Sequence, residues 1–353
     1  MDPLQPRPDL YNVTFAADSF NGMPHRRLGR SGLRVSNVGL GTWKFGFPDS
    51  GDGSRVDEPT AYQILDRAIV LGVTFWDTAN RYNNASGNSE RILGRWLRQN
   101  SDQRRNVVLA TKCYGGMDGS SPNHSRLSRT NILESVYASL ARMQVEYLDV
   151  LYFHRFDTEA PADESLSAID DLVRRDLVRY FAVSNFSADQ LSLYRALERD
   201  FGPRVRVTAV QNRFDILTGE DAAHSGVLDY CARHEISYVA YSPLAKGLLT
   251  ERYLEPSKAG PGDRLYDEGE LTRRADSKTL EILQSLSACA REWNLKLGQL
   301  ALAYMLTLPG MGPLIPSSSS IEQLEANAAA GKVALSAEQC SRVREILAGR
   351  SPA

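Results

Sequence analysis

Short apolar runs alternate with helix-like segments along almost the whole chain, and this alternation is the feature that most restricts its fold. The runs are rich in β-branched and aromatic residues and are bounded by turn residues, as strands are. They lie at 37–40, 73–76, 107–111, 148–153, 180–183, 205–210, 236–241 and, more weakly, 311–315. The segments between them carry apolar residues at helical spacing, as Ala61, Ile64, Leu65 and Ala68 do. Eight strand–helix units predict an α/β fold, the (β/α)8 TIM barrel.

An open, doubly wound parallel sheet is the alternative that the same alternation allows. That fold usually carries a G-x-G-x-x-G fingerprint in its first strand–helix turn. The first predicted strand is followed instead by Gly41-Thr42-Trp43-Lys44-Phe45. Because the fingerprint is missing, the sequence favours the barrel.

The two ends of the chain and two long connections lie outside the repeating units. Residues 1–25 are predicted to form an N-terminal arm, and residues 26–353 a single barrel domain. A hairpin at 26–35 is expected to cap the barrel floor. The long connections at 113–128 and 244–274 each follow a predicted strand, so we expect them on the C-terminal face as lids or substrate walls. For the tip of the second, a disordered insertion is nearly as good an interpretation.

Composition excludes several classes of function. The net charge of −2 leaves no overall basic field for nucleic acid or an anionic membrane surface. No segment is apolar and long enough to span a bilayer, and the N-terminus lacks a signal pattern. The cysteines Cys113, Cys231, Cys289 and Cys340 form neither a metal-binding nor a disulfide pattern. We therefore expect a cytoplasmic protein without a metal site.

Four polar residues, Asp77, Tyr82, Lys112 and His154, lie at or just after the ends of three successive predicted strands. Parallel barrels carry their catalytic residues at such positions. Lys112 is expected to lower the pKa of Tyr82, and Asp77 to keep Lys112 charged. His154 is expected to donate a hydrogen bond to a carbonyl oxygen.

Each of these four residues, taken singly, has an ordinary structural interpretation as an ion pair, a bridging tyrosine or a core histidine. Their coincidence at successive strand ends favours a set that delivers a proton to a carbonyl group. The hydride must come from a cofactor, because no side chain supplies one.

The motifs around these residues resemble the aldo-keto reductase superfamily, from about residue 26 to about residue 330. The similar blocks follow one another in the family's order: RLGRSGL at 27–33, GLGTW at 39–43, FWDTANRY at 75–82, SERILG at 89–94, ATK at 110–112, YFHR at 152–155, VSNF at 183–186, QNRF at 211–214, YSPL at 241–244, IP at 315–316 and QLEAN at 323–327. Residues 125–129, with Ser318 and Gln323, are most similar to the branch of potassium-channel β subunits and their bacterial relatives.

The resemblance implies a (β/α)8 barrel with a nicotinamide cofactor bound across its C-terminal face. Tyr82 matches the family's general acid, and Asp77, Lys112 and His154 match its partners. The implied cofactor contacts are Gly41, Thr42, Trp43, Asp77, Ser184, Asn185, Gln211, Tyr241, Ser242, Leu244, Ser317, Ser318, Ser319, Gln323 and Asn327. The positions expected to line the substrate pocket are Trp43, Phe45, Tyr114, Arg155 and Phe156.

Departures from the family pattern bear on the choice of cofactor. Gln323 stands where some branches have an arginine for the 2′-phosphate, and Ala326 replaces a frequent glutamate. Serines at 317–320 can still bind a phosphate, and the loop residues Arg252, Arg264 or Arg273 could reach it. We therefore expect NADPH/NADP to be preferred, with NADH/NAD possible.

The leading hypothesis is an NADP-dependent aldo-keto reductase that reduces a small-molecule aldehyde or ketone. The same site could run as a dehydrogenase of a sugar or secondary alcohol. A nucleotide-sensing regulatory subunit, similar to the channel β subunits, is the alternative from another class, although the complete tetrad argues for an enzyme. A sugar-phosphate isomerase would need a carboxylate pair or metal cluster that the sequence lacks. The sequence is compatible with a monomer or a homo-oligomer.

Overall fold

The computed structural model describes Pro8 and residues 18–116 and 119–349, so most of the predicted arm at 1–25 lies outside the described residues. The strands are β1 (Ser19–Phe20), β2 (Met23–Arg27), β3 (Arg34–Ser36), β4 (Leu40–Gly41), β5 (Phe75–Asp77), β6 (Val108–Cys113), β7 (Leu148–Phe153), β8 (Val178–Ser184), β9 (Val207–Arg213), β10 (Ser237–Tyr241) and β11 (Met311–Ile315). The α-helices are α1 (Glu58–Leu71), α2 (Tyr82–Ala85), α3 (Asn88–Gln99), α4 (Arg129–Met143), α5 (Ala162–Arg174), α6 (Ala188–Phe201), α7 (Val227–His234), α8 (Arg264–Asp267), α9 (Leu271–Arg274), α10 (Ser277–Glu292), α11 (Leu297–Met305), α12 (Ile321–Ala330) and α13 (Ala337–Leu347).

Strands β4 to β11 form one sheet of eight strands in sequence order, and every paired neighbour is parallel. Parallel bridges from Val38 to Leu314 and from Gly41 to Ser317 join the first and last strands and bring the sheet round on itself. The predicted barrel is therefore confirmed, and the open doubly wound sheet is excluded. Each of the eight predicted strands exists, with ends that differ from the prediction by up to three residues.

The ends of the helices follow from local chemistry. Asp57 accepts a hydrogen bond from the backbone of Thr60 at the start of α1, and Gly72 ends that helix with a φ of +74°. Ser187 and Gln190 form a reciprocal capping box at the start of α6. Gly72 stops α1 two residues before β5 begins at Phe75, so this connection on the barrel floor is short.

The N-terminal strands close the barrel floor. Strand β2 pairs antiparallel with β1 and with β3, so the predicted hairpin is confirmed but begins at Met23 and carries an extra short strand. Leu28 and Val35 are fully buried in one cluster with Phe75 and Val150 of the barrel interior. Gly29 fits here because its φ is +55° and a Cβ atom would lie 2.1 Å from the carbonyl oxygen of Thr208.

The connection at 244–274 is ordered and forms a roof over part of the C-terminal face. It contains helices α8 and α9, and its Tyr253 and Leu265 side chains are buried. Asp267 forms a 3.1 Å ion pair with Arg55 of the loop after β4. A disordered insertion is therefore the wrong interpretation of this segment. Among the described helices, none combines the length and the apolar character needed to cross a membrane.

Candidate active site

The polar residues predicted from the strand ends meet at the C-terminal face of the barrel. Asp77 is the last residue of β5, Lys112 lies near the end of β6, His154 directly follows β7, and Tyr82 begins α2. A cavity of about 920 Å³ opens above them, with Asp77, Tyr82 and His154 in its wall. Its volume lies within the range of small-molecule and cofactor sites.

The ammonium group of Lys112 holds the cluster together. Lys112 Nζ donates to both Asp77 carboxylate oxygens at 2.7 and 2.6 Å, to the Thr78 carbonyl oxygen at 2.9 Å and to Tyr82 Oη at 2.7 Å. Tyr82 Oη in turn donates to Asp77 Oδ2 at 3.2 Å. The Tyr82 and His154 rings lie edge to face, with centroids 6.1 Å apart. The tyrosine hydroxyl thus sits between a buried cation and the open cavity.

Burial dominates the ionisation of the cluster. Burial and the Asp77 carboxylate raise the pKa of Tyr82 well above its usual value. The predicted lowering was therefore wrong, because burial and the Asp77 carboxylate outweigh the effect of Lys112. Burial lowers the pKa of Lys112, while Asp77 opposes that shift. Burial, Lys112 and Arg155 lower the pKa of His154 to about 3, so this imidazole is neutral at pH 7.

A strained turn presents Tyr82 to the cavity. The three residues after it, Asn83, Asn84 and Ala85, all have φ between +55° and +62°. Asn83 fixes the turn by donating from Nδ2 to the carbonyl oxygen of Phe45 at 2.6 Å. Asparagine tolerates this conformation better than most residues, which explains why this polar segment suits the turn.

A buried polar network that the sequence motifs did not reveal supports Asp77 and Lys112 from behind. Ser89 Oγ lies 2.8 Å from Thr42 Oγ1, and Thr42 Oγ1 donates to the Asp77 carbonyl oxygen at 2.9 Å. Beside Lys112, Thr111 Oγ1 donates to Glu90 Oε1 at 2.6 Å. Ser89 Oγ also lies 2.9 Å from Thr78 Oγ1, so the start of α3 is hydrogen-bonded to the residues just after β4 and β5 and to β6 itself.

Most of the residues that the resemblance assigns to a cofactor lie in the wall of the same cavity. Those found there are Gly41, Trp43, Asp77, Ser184, Asn185, Gln211, Tyr241, Ser242, Leu244, Ser317, Ser318, Ser319, Gln323 and Asn327. Thr42 is fully buried behind the wall.

Three of these side chains are hydrogen-bonded next to the tetrad. Gln211 Nε2 donates to Asp77 Oδ1 at 2.7 Å, and Asn185 Nδ2 donates to the His154 carbonyl oxygen at 2.9 Å. Tyr241 Oη donates to Asn185 Oδ1 at 3.0 Å. This end of the cavity therefore presents amide and hydroxyl groups in fixed positions beside Tyr82.

The far end of the cavity is built on the start of α12. Gln323 Oε1 accepts from the backbone N–H of Ser319 at 2.9 Å, and Ser320 caps the helix. Asn327 Nδ2 donates to Ser318 Oγ at 3.1 Å. A serine-rich helix start of this kind favours an anionic group.

The predicted substrate-pocket residues separate into two sets. Trp43 lies in the cavity wall, whereas Phe45 is fully buried in the hydrophobic core. Phe156 packs edge to face on Phe186, with ring centroids 5.3 Å apart, and Arg155 is exposed to solvent. The residues of this set that lie outside the cavity wall are Phe45, Tyr114, Arg155 and Phe156. Apolar loop residues pack into the core or face a cavity with equal ease, so sequence position alone did not separate Phe45 from Trp43.

The cavity wall also contains basic residues that the motifs did not single out. These are Lys44, Arg55, Arg81, Arg213, Lys246, Arg274 and Lys296, which join Arg252 and Arg264. Among the described residues of the wall there are thus nine lysines or arginines and three acidic residues. Two of these basic residues could have been found from the sequence, because Lys44 is next to Trp43 and Arg81 is next to Tyr82. The surplus of positive charge suits an anionic ligand.

Comparison with known proteins adds evidence to this geometry. A sequence profile of the Aldo/keto reductase family matches residues 37–348. The Aldo-keto reductase AMT2 of Alternaria alternata is 31% identical over 351 residues, covering 93% of this chain and 92% of that protein. The L-glyceraldehyde 3-phosphate reductase of Escherichia coli is 31% identical and covers 88% of each chain. The probable voltage-gated potassium channel subunit beta of Oryza sativa is 29% identical, covering 86% of this chain and 90% of that protein.

Proposed function

Because this chain belongs to the aldo/keto reductase family of oxidoreductases, we propose that it reduces an aldehyde or ketone to an alcohol with Tyr82 as general acid. One observation carries the proposal: the Lys112 ammonium contacts both the Asp77 carboxylate and the Tyr82 hydroxyl at the base of the cavity. A structural ion pair needs no tyrosine hydroxyl beside it at a cavity wall, whereas proton delivery to a carbonyl does.

The residues of the cavity fit a nicotinamide cofactor. The surplus of basic side chains suits its phosphates, and the hydroxyl and amides of Ser184, Asn185 and Gln211 suit a carboxamide. At Gly41, a Cβ atom would lie 3.0 Å from the Ile315 carbonyl oxygen and 3.1 Å from Ser317 Oγ, so the wall is closely packed there. Tyr241 offers a ring face, and Ser242, Leu244 and Ser317–Asn327 offer the groups that would hold the phosphates and adenosine. The cofactor supplies the hydride when it is bound.

The side chains divide the proton chemistry among them. A tyrosine is protonated at neutral pH even at its usual pKa of about 10, and burial raises the pKa of Tyr82 further, so Tyr82 holds a proton that it gives to the carbonyl oxygen of the substrate. Lys112, 2.7 Å away, stabilises the phenolate that results. Asp77 keeps Lys112 charged despite its burial. His154 is neutral, so its ring N–H orients the carbonyl oxygen without adding a second charge.

NADPH is the proposed preferred cofactor, with NADH as the weaker one. Arg252 and Arg264 lie in the cavity wall, and the serines at 317–319 add hydroxyl donors. Arg252 is ion-paired with Asp263, and Arg264 with Glu268, so neither is an uncompensated charge. Arg273 lies outside the wall and is mostly exposed, which removes it from the candidates.

The same residues can run the reaction in reverse, as a sugar or secondary-alcohol dehydrogenase, because the proton path is reversible. A nucleotide-sensing subunit stays the alternative from another class, and the similarity to the rice channel subunit is its support. Turnover decides between the classes, since a sensor needs cofactor binding but no rapid chemistry.

The test is NADPH oxidation with a panel of aromatic aldehydes, ketones and sugars, comparing wild type with Tyr82→Phe. We expect the variant to lose about 10²- to 10⁴-fold in kcat, because the transferred proton is gone. NADPH binding, measured by fluorescence titration, should be unchanged. Tyr137→Phe is the control, since Tyr137 is 43% exposed on α4. A Tyr82→Phe variant that keeps full turnover would disprove the assigned role.

A further inference from the structure

Lys44 is a cation in the cavity wall without an anionic partner. Its Nζ lies 3.8 Å from the centroid of the Trp43 ring and 3.5 Å from the Gly53 carbonyl oxygen. No carboxylate among the described residues lies within ion-pair distance of it. Two cations near it in the wall differ, since Arg55 pairs with Asp267 and Lys246 pairs with glutamates.

Other positively charged side chains lie close to Lys44. Arg264, from the roof, places its guanidinium 4.8 Å from the centroid of the same Trp43 ring, so two cations contact one indole. Burial, Arg264 and Arg55 lower the pKa of Lys44 to about 8, and Glu268 opposes them. A half-buried lysine among arginines is stabilised when an anion binds beside it.

Lys44 lies close in the sequence to a residue that is hydrogen-bonded to the tetrad. It lies two residues after Thr42, whose hydroxyl donates to the Asp77 carbonyl oxygen, and next to Trp43 in the same cavity wall. No sequence motif assigns a role to Lys44, and none of the hydrogen bonds that build the tetrad involves it.

We propose that Lys44, resting on Trp43, is an anion subsite of the cavity and binds a phosphate or carboxylate group. The proposal rests on the proposed function, because it specifies what that site binds. The anion has two possible sources, an acidic group on the carbonyl substrate or the pyrophosphate of the cofactor. A lysine ammonium binds either of them as a point charge.

The first experiment measures anion binding alone, by calorimetric titration of the full chain with inorganic phosphate and pyrophosphate. We expect Lys44→Met to weaken binding about 10- to 100-fold, as loss of a charged hydrogen bond does, and Lys44→Arg to restore most of it. Methionine keeps the apolar stem on Trp43, so the fold should be unaffected. Lys258→Met is the matched control, because Lys258 is 72% exposed and paired with Glu255 on the same loop.

The pH dependence gives an independent readout. Phosphate affinity of the wild type should fall as the pH rises through about 8, because Lys44 then loses its proton. The charged groups that face it are Arg264, Arg55 and Glu268. The Lys44→Met variant should lack this fall, and Lys44→Arg should show less of it.

The second experiment identifies the source of the anion. It compares KM for 4-carboxybenzaldehyde and its uncharged methyl ester, and the Kd of NADPH, in wild type and Lys44→Met. A rise in KM confined to the carboxylate identifies the substrate as the source, and a rise in the NADPH Kd with equal effects on both aldehydes identifies the cofactor.

Unchanged phosphate affinity, KM and Kd in Lys44→Met would overturn the subsite. A wild type that reduces neither aldehyde would contradict the proposed function instead, and the phosphate titration would still decide the subsite.

Discussion

His154 is a histidine whose environment favours its neutral form, and this has a consequence for acid stability. Its pKa is lowered from 6.5 to about 3 by burial, Lys112 and Arg155. Between these values the unfolded chain binds more protons than the folded one, so the free energy of unfolding falls as the pH falls. The slope cannot exceed about 1.4 kcal/mol per pH unit for one group.

We therefore expect wild type to lose up to about 2 kcal/mol more stability than His154→Gln between pH 6.5 and 4.5. Urea unfolding at several pH values measures this difference. His124→Gln is the control, since that histidine lies on the surface beside Glu134. Parallel curves for wild type and His154→Gln would show that His154 is not buried in its neutral form.

The residues of the tetrad were predictable because parallel barrels place polar side chains at strand ends. Asp77 and Lys112 were found in this way, and Tyr82 and His154 just beyond the ends. Phe45 was wrongly expected in the cavity, because nothing in a loop sequence says which way a ring points. The predicted lowering of the Tyr82 pKa was also wrong, since burial that only the folded chain creates raises it.

At the scale of elements, the start of α3 anchors the strands beneath the site through Glu90. This side chain is fully buried, accepts from Thr111 Oγ1, and forms a 2.6 Å ion pair with Arg142 of α4. Glu90→Gln removes a negative charge beside a buried guanidinium. We expect it to lower the free energy of unfolding by about 3 kcal/mol, measured by urea denaturation.

Glu325→Gln is the matched control for this substitution. Glu325 forms an ion pair of the same 2.6 Å length with Arg67, but both side chains are about 40% exposed. Exposed pairs of this kind contribute about 0–1 kcal/mol. Equal losses in the two variants would contradict a special role for burial at Glu90.

Strands and helices were predicted better than the long-range contacts between them. Short apolar runs in the sequence located every strand of the barrel, because strands that are buried on both faces are continuous apolar stretches. The roof at 244–274 was not predictable, since its order depends on contacts such as that of Asp267 with Arg55, far away in sequence. The ion pair between Glu90 and Arg142 was not predicted either, because these residues are also far apart in the sequence.

For the whole molecule, the hairpin that closes the floor contributes to stability at a distance from the chemistry. Leu28 is fully buried against the barrel interior. We expect Leu28→Ala to lower the free energy of unfolding by about 2–5 kcal/mol, because it leaves a cavity there. Since the cavity of the active site opens at the other face, KM and kcat of the folded fraction should be unchanged.

Leu193→Ala serves as the comparison, because Leu193 is 45% exposed on α6 and its truncation should cost less than about 0.5 kcal/mol. Denaturation curves and steady-state kinetics on the same samples separate stability from activity. A Leu28→Ala variant with normal stability would show that the hairpin is a passive cover.

The bridges from Val38 to Leu314 and from Gly41 to Ser317 also govern how the chain can be made. A ribosome delivers the first barrel strand long before the last, by roughly 15 to 55 s at typical rates of synthesis. During that interval one edge of β4 has no neighbour, and an unpaired edge invites pairing with other chains. We therefore expect translation speed and chaperones to matter most at the seam between the first and last strands, which closes only when nearly the whole barrel has emerged.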